Sequence, residues 1–143
     1  MRQRVLVCGG RKYSNRALLY AVLDRAHAAN PIELLIHGAA QGADTLAKEW
    51  AKKRGVQDAP FPPDWSNLNV DPCVIRYDRD GVPYNAAAGG IRNQRMLDEG
   101  KPHLVIAFPG GTGTADMARR AKGAKVGLVR VKANSESIWT NGR

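Results

Sequence analysis

The 143-residue chain is poor in cysteine: it has two, Cys8 and Cys73, with no Cys-x-x-Cys pair and no cluster formed by its three histidines. This excludes a disulfide framework and a structural zinc site as organising principles, and no metal is expected. Aromatic residues make up only 6% of the chain, and no stripe of them interleaves with basic residues. A surface that stacks successive nucleic-acid bases is therefore not indicated. No apolar run nears the roughly 18 residues that a membrane-spanning helix needs, and Met1-Arg2-Gln3-Arg4 leads straight into a strand pattern. A cytoplasmic location without a membrane partner is the expectation. Internal repeats and low-complexity tracts are also missing, and the length suits one domain that buries a core unaided.

Acidic residues are in short supply, thirteen against twenty-two Lys and Arg, which leaves a formal charge of +9 and favours an anionic partner. The excess is uneven: residues 1 to 54 carry ten basic and four acidic groups, residues 55 to 90 two and five, and residues 91 to 143 ten and four. Part of it has a plain origin. Lys52, Lys53 and Arg54, and again Arg119, Arg120 and Lys122, fall where helices should end and where cations suit the helix dipole.

Apolar runs alternate with amphipathic ones. Strands are expected at 4–8, 32–37, 57–61, 104–108 and 126–131. Between them, helices are expected from a Ser14 cap to Ala29, from about Asp44 to a stop at Gly55, over 91–99 ahead of Gly100 and Pro102, and over 114–121. This alternation predicts a single Rossmann-like α/β domain over residues 1–133, with a doubly wound, mostly parallel sheet of about five strands and flanking helices. Residues 66–90 break the pattern, with a candidate strand at Val74–Tyr77 and a turn at Asp80-Gly81. They read as an irregular insertion and a candidate lid supplying Tyr77, Asp78, Asp80 or Tyr84. Residues 134–143 read as a polar tail.

In such sheets ligands bind at the carboxyl ends of the strands. Pro109, Gly110, Gly111, Thr112, Gly113 and Thr114 follow a strand and open a helix. Glycines there let backbone N–H groups approach a phosphate, the helix N-terminus adds partial positive charge, and the two threonines add hydroxyl donors. Gly9, Gly10, Arg11 and Tyr13 bring a cation and an aromatic ring to the same edge. Gly38 opens a small-residue loop in which Asp44 can accept from ribose hydroxyls or serve as a first-turn helix carboxylate. Arg92 and Arg95 lie three apart beside Asn93, where they can complete an anion site or form a solvated face. Cys8 reads as a small buried hydrophobe and His37 as a core or loop anchor. Trp65, after Pro62-Pro63, can stack on a base or pack the loop down.

These stretches, with Val5–Arg11, Ile36–Asp44, Asp64-Trp65, Ala88–Leu97 and Pro109–Thr114 in this order over nearly the whole chain, resemble the SLOG superfamily and within it the YspA-like, cpYpsA-related proteins of bacteria and phages. The resemblance implies a Rossmann-like fold that binds nucleotides or their derivatives, with members proposed as sensors or processors of nucleotide-derived signals. A related branch, the LOG-type phosphoribohydrolases, uses a Pro-Gly-Gly-x-Gly-Thr-x-x-Glu loop and an Arg-Lys pair. Here Met117 stands at the glutamate position and Asn93 at the lysine position, while Arg92 matches the arginine. Asp116 lies one residue early, a rotation of about 100° on a helix.

The expected function is binding, for sensing or sequestration, of a phosphorylated nucleotide or NAD-derived ligand, with no other cofactor and with assembly as a homo-oligomer. The first alternative is a hydrolase of such a ligand, with Arg92 on the phosphate and Asp116 or Asp44 as acid or base. The second is nucleic-acid binding of the kind found in the DNA-processing DprA branch of the superfamily.

Overall fold

In the computed structural model, which describes residues 2–133, successive residues of the first strand serve opposite sides of a sheet. Val5 and Val7 join one apolar cluster, whereas Leu6 and Cys8 join another. This two-residue period, with apolar side chains at every position, requires cover on both faces. Five parallel strands make the sheet: β1 (Gln3–Cys8), β2 (Ile32–His37), β3 (Gln57–Pro60), β6 (Leu104–Ala107) and β7 (Gly127–Arg130), ordered β3-β2-β1-β6-β7. Helices α1 (Arg16–Ala29) and α2 (Ala43–Arg54) cover one face through Leu19, Val22, Leu23, Ala47 and Trp50. Helices α3 (Ala88–Gly100) and α4 (Thr112–Gly123) cover the other through Met96, Leu97, Met117 and Ala118. The doubly wound α/β expectation holds, and the chain order reverses between β1 and β6.

Element ends differ from the sequence reading for identifiable reasons. The cap of α1 is Asn15, not Ser14, because the Asn15 side chain accepts the Leu18 N–H at 3.1 Å. Helix α3 begins three residues early and includes Gly89 and Gly90, which the sequence reading leaves in a loop. A Cβ on Gly90 would lie 3.1 Å from the Arg120 guanidinium, so Gly90 clears space for that side chain over the first turn, whereas one on Gly89 would make ordinary contact with the Trp65 ring at 3.5 Å. Gly100 lies inside the helix instead of ending it. A Cβ there would meet Ile36 Cδ1 at 2.9 Å, and the left-handed residue that closes the helix is Lys101, with φ +50°. Helix α4 starts at Thr112, so Thr112, Gly113 and Thr114 form its first turn and Gly111 is its N-cap.

The insertion has its own order. Strands β4 (Ile75–Tyr77) and β5 (Pro83–Asn85) form an antiparallel hairpin. Asn85, fully buried, ties it down: its Oδ1 accepts from Val74 and Ala87 N–H, its Nδ2 donates to the Asn67 and Pro72 carbonyls, and its own N–H donates to Trp65 O at 2.7 Å. Nothing in the sequence marks this asparagine among the chain's others. Replacing it by leucine leaves several buried partners unmatched at a cost of about 2–4 kcal/mol. Hydrogen exchange should then show deprotection confined to residues 66–87. Equal deprotection of β1, β2 and β6 would show instead that the insertion and sheet unfold as one unit. The tail from 134 to 143 lies outside the described residues.

Candidate functional site

Three strand-exit loops meet where the chain order reverses, and glycine lets them touch. The Gly10 N–H donates to Pro109 O (2.9 Å), and Gly10 O accepts from Tyr13 (3.2 Å) and Ala43 (3.2 Å). A Cβ on Gly9 would fall 2.6 Å from Ala43 Cβ, and one on Gly110 2.7 Å from the Gly10 nitrogen. Gly42 has φ +76°, and a Cβ there would fall 2.2 Å from Gly10 O. These four glycines answer to the protein's own atoms. Gly111 and Gly113 do not: neither has a left-handed φ, and a Cβ on either would meet nothing within 4 Å.

A cleft of about 980 Å³ opens over this junction, and the first turns of α2, α3 and α4 line it. None of these helices has a side-chain cap; their N-caps are Gly42, Ala87 and Gly111. The asparagine-capped α1 begins outside the cleft. In α4 the first intrahelical bond runs from Ala115 N–H to Gly111 O, and in α3 from Ile91 N–H to Ala87 O. The N–H groups of Thr112, Gly113 and Thr114, and of Ala88, Gly89 and Gly90, therefore have no partner within their helices. In α2 the Ala43 N–H is already taken by Gly10 O.

Arg92, half-buried, spans the cleft wall. Its Nη1 donates to the carbonyls of Gly38 and Phe61, and its Nε donates to Asn93 Oδ1 (3.0 Å). Burial pulls its pKa below the ordinary guanidinium value while the Asp44 charge opposes that shift; it stays a cation. Gly38 serves Arg92 directly, since a Cβ there would lie 2.6 Å from the guanidinium carbon. Asp44 Oδ2 accepts from Gly38 N–H (3.1 Å) and Ala40 N–H (3.2 Å). Burial raises the Asp44 pKa despite those bonds and despite the Arg92 charge. Between them Ala39 holds φ +57°, a conformation that L side chains disfavour. His37 secures it, because Nδ1 accepts the Ala39 N–H (3.0 Å), which leaves Nε2 to carry the hydrogen toward Asp58 (2.8 Å). His37 is a loop anchor.

On the opposite wall Asn93, buried, joins α3 to α4 by donating to Gly113 O (3.2 Å) and Asp116 Oδ2 (3.0 Å). Asp116 also accepts from Arg120 Nε (2.7 Å) and Arg119 Nη2 (3.0 Å), and Arg120 reaches Gln94 Oε1 (3.0 Å). Burial alone would raise the Asp116 pKa. The Arg120 and Asn93 hydrogen bonds, with the charges of Arg120 and Arg119, outweigh burial and hold the pKa below the ordinary value. Cys8 is buried at the cleft floor, and desolvation, with Asp44 adding to it, drives its thiol pKa up. It is no nucleophile.

Of the residues the sequence singled out, Gly9, Gly10, Arg11, Asp44, Arg92, Asn93, Gly111, Thr112, Gly113, Thr114 and Asp116 line the cleft. Tyr13 does not, contrary to its expected stacking role. Its ring packs on Phe108 (centroids 5.4 Å apart) against the α1–α2 core, and its pKa is raised by burial. Arg95 faces away, paired with Glu99 (2.8 Å) over the Phe61 ring. Gly38, Pro109 and Gly110 act one layer back, by holding the residues that form the lining. Tyr77, Asp78, Asp80 and Tyr84 are absent from the lining as well. The insertion instead contributes Trp65, Pro72, Ala86 and Ala87, because its hairpin points outward with Tyr77 exposed. Arg119 and Arg120, read from the sequence as helix-end cations, line the cleft; the spacing Asp116-x-x-Arg119-Arg120 was the signal for them.

The geometry defines a doubly wound, Rossmann-like α/β protein with a cleft of cations and uncapped helix starts at its switch point. A relative, the Gene 61 protein of Mycobacterium phage D29, is 31% identical over 130 residues, covering 89% of this chain and 94% of that protein. Residues 3–67, from β1 through Trp65, match the family described as YspA, cpYpsA-related SLOG. The chain belongs to this family. Its fold is similar to that of DNA processing protein A (DprA) from Streptococcus pneumoniae, with a TM-score of 0.65 at 17% identity over 96% of this chain. The chain spans about half of that protein, 53% of its length.

Proposed function

We propose that this protein binds a phosphorylated nucleotide or nucleotide-derived signal in the cleft and acts as a sensor or sequestering module. The observation that carries this reading is the pair Gly111 and Gly113. Gly113 lies within the first turn of α4, where glycine costs stability relative to alanine, and at neither position does a left-handed φ or a neighbouring atom call for glycine. Space is kept clear in front of three N–H groups at the positive end of α4, with Arg11, Arg92, Arg119 and Arg120 around the same cleft. A phosphate fits that chemistry. Family membership supports the reading, since the resemblance described above implies nucleotide-type ligands.

Native mass spectrometry of the purified chain against a panel of nucleoside mono- and diphosphates, dinucleotides and ADP-ribose should show one ligand per chain. Chromatography after incubation should return that ligand intact. The reading fails if no panel member shifts the mass at concentrations up to about a millimolar, the weak end of metabolite affinity.

Turnover is the second reading, and Asp44 is the observation that favours it. It lines the cleft, and burial raises its pKa above the ordinary carboxylate value, the direction an acid catalyst requires. Asp116 is the weaker candidate, because Asn93, Arg119 and Arg120 occupy its oxygens. A released base or ribose phosphate that disappears in Asp44→Asn but persists in Asp116→Asn would establish this reading over capture.

A further inference from the structure

We infer that Trp65 is the base-recognition surface of the cleft: it stacks on the aromatic base of a nucleotide whose phosphate sits at the start of α4. The inference rests on the nucleotide reading and adds to it which part of the ligand is read, and by which residue. Among the described residues, Trp65 is the one aromatic in the cleft lining. Two of the chain's aromatics near the core, Tyr13 and Phe108, are spent on each other.

The cleft is chemically two-ended. Around Trp65 the insertion and the first turn of α3 present Pro63, Pro72, Ala86, Ala87 and Gly89, none with a polar side-chain atom. The remaining wall is cationic and donor-rich, with Arg119, Arg120 and the first turn of α4. A molecule that is flat and weakly polar at one end and anionic at the other matches both, and a nucleoside 5′-phosphate has that form.

The indole is also prepared for contact. Its side chain is 36% exposed although it is among the largest apolar groups in the chain. Tyr84 meets it edge to face, with centroids 6.3 Å apart and planes at 80°, so at most one face of the indole is occupied by that neighbour. The ring also lies over Gly89, in the first turn of α3, where an added Cβ would sit 3.5 Å from it. The Trp65 carbonyl is fixed by the Asn85 N–H, whose side chain organises the insertion. A ring that served only to hold the loop down would be expected to bury both faces. The insertion then works as a mount that presents Trp65 to the ligand.

The test compares adenosine 5′-monophosphate with ribose 5-phosphate, which lacks only the base, by calorimetric titration of the wild type, Trp65→Ala and Trp65→Phe. Stacking on an aromatic side chain predicts that Trp65→Ala weakens adenosine monophosphate binding about 10- to 100-fold and leaves ribose 5-phosphate binding unchanged, with Trp65→Phe restoring most of the difference. Equal losses for both probes in Trp65→Ala, or an unaltered ratio between them, would overturn the assignment and make Trp65 a structural residue. If the wild type binds ribose 5-phosphate but gains nothing from the base, the stacking inference fails while the phosphate reading stands. If it binds neither probe, the stacking inference fails, and the phosphate reading is decided by the wider nucleotide panel above.

Discussion

Gly113→Ala is expected to raise the unfolding free energy by about 0.5–1 kcal/mol, while Gly113→Leu weakens nucleotide binding on the order of 100-fold. Both effects follow from one fact: a Cβ at this position meets nothing within 4 Å, in a residue of ordinary helical handedness that lines the cleft. Alanine removes the entropy that glycine loses in a helix. Leucine places a branched side chain where the proposed phosphate approaches the N–H groups of Thr112, Gly113 and Thr114. Urea denaturation of the first variant and calorimetric titration of the second check the two halves separately. Destabilisation by alanine would mean that the glycine serves the fold, and full affinity in the leucine variant would place the anion elsewhere.

The same substitution should behave oppositely at Gly42, where alanine is expected to cost about 2–4 kcal/mol. Here φ is +76°, and the added carbon would fall 2.2 Å from Gly10 O and 2.6 Å from the Arg11 backbone. Both obstacles are main chain, so no side-chain rotation relieves them. Movement of Gly42 would displace Gly10, whose carbonyl holds the Tyr13 and Ala43 N–H groups and whose N–H holds Pro109. Thermal unfolding should show the loss directly. A shift no larger than that of an exposed surface substitution would mean that the three loops are less tightly joined than their contacts indicate.

These two glycines show what the sequence could and could not reveal. The alternation of Val5, Leu6, Val7 and Cys8, with apolar spacing in each helix, was enough to read a parallel sheet covered on both faces. The strand-exit glycines were enough to point to the sheet edge where the cleft opens. The reason for each glycine was not readable, because Gly42 answers to Gly10 across the junction, Gly90 to Arg120, and Gly100 to Ile36. These are contacts between distant segments. For the same reason Gly89 and Gly90 looked like loop residues although they lie within α3.

Side-chain direction was the second hidden quantity. Tyr13 and Arg95 have the chemistry of ligand contacts, but the chain turns one toward Phe108 and the other toward Glu99. Arg119 and Arg120 had an adequate explanation as helix-end cations, which masked their place beside Asp116. In the insertion the sequence marked the first strand and the Asp80-Gly81 turn but not the return strand Pro83–Asn85, and the order of the hairpin depends on the buried Asn85 amide.

The contrast between α1, closed by Asn15, and the three helices left open toward the cleft bears on how the molecule would register its ligand. A single anion accepting from the starts of two helices would serve as their common cap, a part that the chain itself does not supply. Occupancy would then be felt along the α3 and α4 axes, on the sheet face opposite α1 and α2. Any partner that reads the bound form would find its signal in the firmness of that helical layer, with little change required in its shape.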